Sequence, residues 1–160
     1  MRHFELTEDL ITGMTDIDDQ HRTLVDLANK VINPEAIEKS PALFTQALKY
    51  LSNYVLFHFA AEEQVMFANS YPHHEQHRKW HLHYKEEMFK LAQIEQTEGN
   101  VKDLRLKISF WVEDLLMDHI KVQDRELAAF LLKKGEGVKM GLPDVRTLKE
   151  MGAIPVDFEM

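Results

Sequence analysis

Cysteine is absent from the chain, which excludes disulfides, thiolate zinc sites, iron–sulfur clusters and cysteine nucleophiles. Cations are in deficit: 19 Lys and Arg stand against 27 Asp and Glu, a net charge of −8, so a broad nucleic-acid-binding face is not expected. No stretch approaches the roughly 18 apolar residues of a membrane span. Met1 to Leu10 alternate charged and apolar types and lack the uncharged run of a leader. Runs of alternating β-branched residues are missing too, which removes the signal for strands. What remains is the expectation of a cytoplasmic protein with neither nucleic acid nor membrane as a partner. Its 160 residues suffice for one domain with a core of its own.

What the chain does have is helical periodicity. After an irregular arm, Met1 to Thr15, His21, Leu24, Ala28 and Val31 recur at three- and four-residue steps behind Asp16, Asp18 and Asp19, which predicts an amphipathic helix ending at Asn33-Pro34. A second helix is predicted over about Ala42 to Asn69, with Leu43, Ala47, Tyr50, Leu51, Tyr54, Val55, His58, Glu62 and Met66 on one stripe. Tyr71-Pro72 closes that stretch, and a third helix over about His73 to Thr97 carries His77, His81, Tyr84, Met88, Leu91 and Ile94. The fourth, about Val101 to Lys134, carries Leu104, Ile108, Trp111, Leu115, Leu116, His119, Val122, Leu127 and Leu131 before Gly135 stops it. The fold expected is all-α, an antiparallel up-down-up-down four-helix bundle over residues 1–137. Residues 138–160 form a C-terminal extension too rich in Gly and Pro for a fifth long helix, with at most a short turn near Val145 to Met151.

Each predicted helix contributes metal-type ligands to its inner face. They are His21 from the first, His58 and Glu62 at i and i+4 from the second, His77 and His81 at i and i+4 from the third, and His119 and Asp124 at i and i+5 from the fourth. An i+4 step places two side chains on one face of an α-helix, and a buried imidazole beside a buried carboxylate makes sense around a cation. The i+5 step is about 140° on an ideal α-helix, so Asp124 is expected to reach sideways to a second ion while His119 binds the first. Five imidazoles and two carboxylates exceed the needs of one tetrahedral zinc. They suit two six-coordinate ions sharing both carboxylates and an oxo or hydroxo bridge, with one coordination position left open.

In that order and spacing, Gly13-Met14-Thr15-Asp16-Ile17-Asp18-Asp19-Gln20-His21, His58-Phe59-Ala60-Ala61-Glu62-Glu63, Tyr71-Pro72 with His77 and His81, and His119-Ile120 with Asp124 resemble the hemerythrins, specifically the bacterial hemerythrin-like proteins, over about Gly13 to Leu132. The resemblance implies two iron ions, one held by His77, His81 and His119, the other by His21 and His58, with Glu62 and Asp124 bridging. In that family O2 binds reversibly at the two-histidine iron, inside a dry apolar pocket for which Leu115, Leu116 and Ile120 are the counterparts here. Relatives usually carry a Trp one turn before the fourth-helix histidine where this chain has Leu115, and often a Trp before the glycine where it offers only Phe4 and Leu10.

The function expected is therefore non-enzymatic O2 carriage, storage or sensing, with nitric oxide or other small anions as further ligands. Two alternatives stand beside it. One is a di-iron redox enzyme such as an oxidase or peroxidase, for which the Leu115 departure speaks. The other is an iron- or oxygen-responsive signalling module that meets a protein partner through residues 138–160. Of the remaining candidates, His3, His73, His74 and His83 are expected on outer faces, Glu63, Gln20 and Asp118 as hydrogen-bond partners of ligand imidazoles, and Tyr54, Met66, Met88 and Met117 as core packing.

Overall fold

A computed structural model describes residues 3–33, 41–98, 101–135 and residue 150. Residues 136–149 and 151–160, and so nearly all of the expected extension and its short turn, lie outside the described residues, as do 34–40 in the first loop. Among the described residues a 3-10 turn at Glu8–Leu10 is followed by the helices α1 Thr15–Ile32, α2 Pro41–Ala68, α3 His74–Glu98, α4 Val101–Asp114 and α5 Arg125–Lys134. Between α4 and α5 lies a π-helical segment, Leu115–Asp124, whose flanking residues Asp114 and Arg125 keep helical backbone angles, so α4, the π segment and α5 form one continuous rod. Helix α1 packs on α2, α2 on α3, α3 on α4, and α4 back on α1, which is the expected four-helix bundle. No strand occurs among the described residues, and no helix of theirs is long and apolar enough to cross a membrane.

The helix boundaries follow from local chemistry. No side chain caps α1 at Met14; instead the buried Asp18 carboxylate, one turn in, accepts from the Thr12 amide and hydroxyl at 2.8 Å and from the Gly13 amide at 3.1 Å. Gly13 sits at φ +87°, a backbone conformation that a side chain would strain. The arm is fixed to the last turn of α1 as well, where Asn29 Nδ2 donates to Phe4 O and Asn29 Oδ1 accepts from Phe4 N. After α2 the chain turns through Ser70 at φ 53°, with the Tyr71 amide donating back to Met66 O at 2.9 Å. Lys134 Nζ donates to Asn69 O across that end, and Gly135 at φ +87° terminates α5.

Apolar burial falls into two clusters. The larger joins Leu10 with Leu24 to Ile32 of α1, Phe44 to Phe59 of α2, Tyr84 to Leu91 of α3 and Leu104 to Ile120 of the fourth rod. The smaller holds Ile17, Val65, Met66, Tyr71, Leu127, Ala128 and Leu131. His21 falls between Ile17 of the smaller cluster and Leu24 of the larger, Glu62 between Phe59 and Val65, and Asp124 between Ile120 and Leu127. Leu43 and Val122, placed inward by periodicity, prove exposed at 51 % and 43 %, as does Met117, expected as core packing, at 43 %. For Val122 the reason is the π segment, whose wider coil shifts the phase that an α-helix would keep. At the start of α2 Phe44, not Leu43, is the inward residue.

Candidate metal centre

All seven predicted ligands, His21, His58, Glu62, His77, His81, His119 and Asp124, converge and are fully buried. Their ligand atoms form two groups within which every atom lies within 4.8 Å of the others. One group is Glu62, His77, His81, His119 and Asp124, and the other is His21, His58, Glu62 and Asp124. The two carboxylates belong to both.

Asp124 shows the division most sharply. Its Oδ1 lies 3.1 Å from His77 Nε2 and 3.1 Å from His119 Nε2, while its Oδ2 lies 3.0 Å from His21 Nε2 and 3.6 Å from His58 Nε2. One oxygen thus faces each group. Glu62 Oε2 stands 3.1 Å from His81 Nε2, 3.5 Å from His77 Nε2 and 3.7 Å from His58 Nε2. The expected sideways reach of Asp124 is corrected here. A π-helix closes its turn between i and i+5, so His119 and Asp124 are one turn apart on the same face, and Asp124 serves its own helix's histidine and the other group alike.

The protein alone leaves this centre electrostatically incomplete. Buried Nε2 atoms of His58, His77 and His119, with Glu62 Oε1 and Asp124 Oδ1, have no hydrogen-bond partner, a costly state for polar atoms removed from water. Burial alone would raise both carboxyls, but the facing imidazoles outweigh it and hold Glu62 and Asp124 well below the usual carboxylate range. Burial likewise opposes a charged His77, yet the Asp124 and Glu62 carboxylates push that imidazole up to about 10. His119 goes the other way, pulled down to about 4 chiefly by burial. Two buried anions ringed by five imidazole nitrogens are a donor set that calls for cations, and the oxygen- and nitrogen-only chemistry suits iron.

Outer partners orient two of the imidazoles. A carboxylate and an amide oxygen only accept, so His81 Nδ1 donates to Glu63 Oε1 at 2.9 Å and His58 Nδ1 donates to Gln20 Oε1 at 2.7 Å, turning each Nε2 lone pair toward the centre. Glu63 is in turn held by Lys85 Nζ at 3.1 Å, and the His81 and Lys85 bonds lower its carboxyl to about 2. Asp118, expected as another such partner, is exposed and makes no such bond to a ligand. His3, His73 and His83 are exposed and His74 half-buried, away from the centre.

This arrangement decides the family. A family model described as the Hemerythrin HHE cation binding domain matches residues 12–131. The chain belongs to the hemerythrin family. It is similar to the bacteriohemerythrin of Pseudomonas paraeruginosa (strain DSM 24068 / PA7), 30% identical over 125 residues that make up 78% of each chain. It is similar also to the bacteriohemerythrin of Stenotrophomonas maltophilia (strain R551-3), 26% identical over 122 residues, 76% of each. Within the hemerythrin site two aromatic residues, Phe59 of the second-helix motif and Tyr84 of the third-helix stripe, pack against ligand rings, a role that the sequence reading does not assign to them. Phe59 stacks on His81 at 4.1 Å between ring centroids and meets His119 edge-on at 5.3 Å, and Tyr84 lies 5.4 Å from His119 while its hydroxyl donates to Asp114 O. Phe59 is flanked by ligands in sequence and Tyr84 lies one turn beyond His81, so the i+3 and i+4 neighbours of each ligand were the signal available.

Proposed function

We propose that this chain is a non-haem di-iron protein that binds O2 reversibly, for carriage, storage or sensing, and does not turn it over. The observation that carries the reading is the split carboxylate: Asp124 turns one oxygen to His77 and His119 and the other to His21 and His58. In this reading His77, His81 and His119 would hold one iron, His21 and His58 the other, and Glu62 and Asp124 would be shared between them. When bound, the iron pair would supply the electrons that O2 accepts, and His21 and His58 would offer their ion fewer protein ligands than His77, His81 and His119 offer the other.

The protein's own task is to position and to exclude. Gln20 and Glu63 fix the two imidazoles they touch. Leu115, Leu116 and Ile120 are each at most 1 % exposed and belong to the larger apolar cluster on either side of His119 in sequence. We assign them the lining of the O2 pocket, where they offer no proton to a bound ligand and keep water out. Five imidazoles against two carboxylates also support binding over activation, since carboxylate-rich sites with Glu-x-x-His pairs are the usual di-iron choice for the latter.

Anaerobic reduction of the purified protein followed by exposure to air tests this. We expect roughly two irons per chain from the ligand count and a visible charge-transfer band that appears in air and fades on deoxygenation. Direct passage to the ferric form with no such band would overturn reversible binding and favour an oxidase.

A further inference from the structure

Two of the ligands, His119 and Asp124, sit on a segment with an unusual backbone. π-Helices are rare and mostly single-turn, yet here ten residues, Leu115–Asp124, hold that geometry and owe to it the shared face of His119 and Asp124. A backbone form of this kind persists where its surroundings over-determine it. The N-terminal arm supplies such surroundings. Its 3-10 turn, Glu8–Leu10, lies against the π segment, and Asp9 and Leu10 fasten it to Lys121 within the segment, to Arg125 just past its end and to the larger apolar cluster. The Asp9 carboxylate pairs with Lys121 Nζ at 2.6 Å, the Asp9 carbonyl accepts from Arg125 Nη1 at 3.0 Å, and Leu10, 1 % exposed, is buried in the cluster that contains Leu116 and Ile120. Lys121 follows His119 by two residues, and Arg125 directly follows Asp124. The turn itself is braced, since Thr7 Oγ1 donates to Asp9 Oδ1 at 2.5 Å and Asp18 anchors Thr12 and Gly13.

We propose that Asp9 and Leu10 are positioning residues, a strut by which the arm holds the Leu115–Asp124 segment in π register and so keeps Asp124 between the two ligand groups. Leu10 supplies most of the grip, because burying an apolar side chain outweighs a half-exposed ion pair, and Asp9 fixes where along the rod the grip falls. Without the strut the segment gains freedom to tighten toward α geometry, in which Asp124 would swing about 140° from His119. The consequence for metal rests on the di-iron reading above. The consequence for the backbone does not.

The test is therefore amide hydrogen exchange on the metal-free protein, comparing Leu10→Ala and Asp9→Ala with Leu27→Ala, a residue of the same cluster that is equally buried but sits on α1. We expect exchange over 115–124 to accelerate roughly tenfold in Leu10→Ala and about two- to threefold in Asp9→Ala, relative to any change over 74–98. Asp9→Glu should restore the parent rate, and Leu27→Ala should show no such local excess. Asp9 lies at the surface, so its variant carries the test should Leu10→Ala fail to fold. Equal acceleration in the two segments, or the same local excess in Leu27→Ala, would overturn the strut. Iron content forms the second arm: with the parent holding two ions, the strut variants should lose one of them to a chelator several-fold faster, and unchanged release would overturn the proposal for the metal. A parent that never holds two ions counts against the di-iron reading, and the exchange data then decide the strut alone.

Discussion

The two apolar clusters differ in what holds them. The larger draws on the arm, α1 to α4 and the π segment, and it would make a core for a bundle with no site at all. The smaller has seven buried members, drawn from the start of α1, the end of α2, the turn at Tyr71 and α5. It is joined to the rest across a layer of two buried carboxylates and five imidazoles. Burying apolar area stabilises each cluster by about 25 cal/mol per Å2, but the layer between them is stable only when its charges are matched. The large cluster therefore sets the fold, and the small one closes the end of the site and depends on the layer.

Paired truncations should separate these roles, with the largest effects expected here. Leu51→Ala and Leu131→Ala each remove a side chain that is 1 % exposed, and such cavities cost about 2–5 kcal/mol. In the large cluster that cost falls on global unfolding, so Leu51→Ala should lower the thermal midpoint by roughly 5 °C or more with little change in the rate at which a chelator strips metal. Leu131→Ala should lower the midpoint less and speed metal release more, because it loosens one end of the bundle. Equal release rates in the two variants would show that the clusters act as one.

That contrast also explains what could be read from the sequence. In α1, α2 and α3 the apolar cluster, ligands and capping turns repeat at three- and four-residue steps, so His21, His58, Glu62, His77 and His81 were legible from spacing on an ideal helix. The fourth rod was legible as a helix but not as a π-helix, because nothing in the apolar repeat marks where a coil widens. The five-residue step from His119 to Asp124 was the trace it left, and on α geometry it pointed to a sideways reach. Val122 failed for the same cause. The arm was read as irregular because its order comes from contacts distant in sequence, Asn29 for Phe4 and Lys121 with Arg125 for Asp9.

A smaller effect is expected in the shell around the layer. Glu63→Gln keeps an acceptor for His81 Nδ1 but removes the charge that Lys85 and His81 stabilise. Outer partners of ligand histidines typically matter 10- to 100-fold in metal affinity, and this milder change should fall near the lower figure. Glu63→Leu should exceed it, since it leaves that nitrogen unpaired. The measurement is competition with a calibrated chelator. If Glu63→Leu binds metal as tightly as the parent, the orientation of His81 is set by Phe59 stacking instead.

The smallest effect concerns pH and the arm, where the large cluster meets the π segment. Bonds to Lys121 and Thr7 hold the Asp9 carboxyl at about 2, below its ordinary 3.8. A carboxyl lowered on folding contributes stability above its unfolded value and loses it as pH falls through the folded one, so the Asp9 contribution should be complete above about pH 5 and vanish between about pH 4 and 2. Comparing the parent with Asp9→Asn isolates it from every other carboxylate. The difference in their denaturation midpoints should be constant above pH 5, shrink across that acid window, and diminish with added salt because the pair is about half exposed. A difference that stays the same from pH 5 to 2 would mean that the Asp9 carbonyl and Leu10, not the carboxylate, fasten the arm.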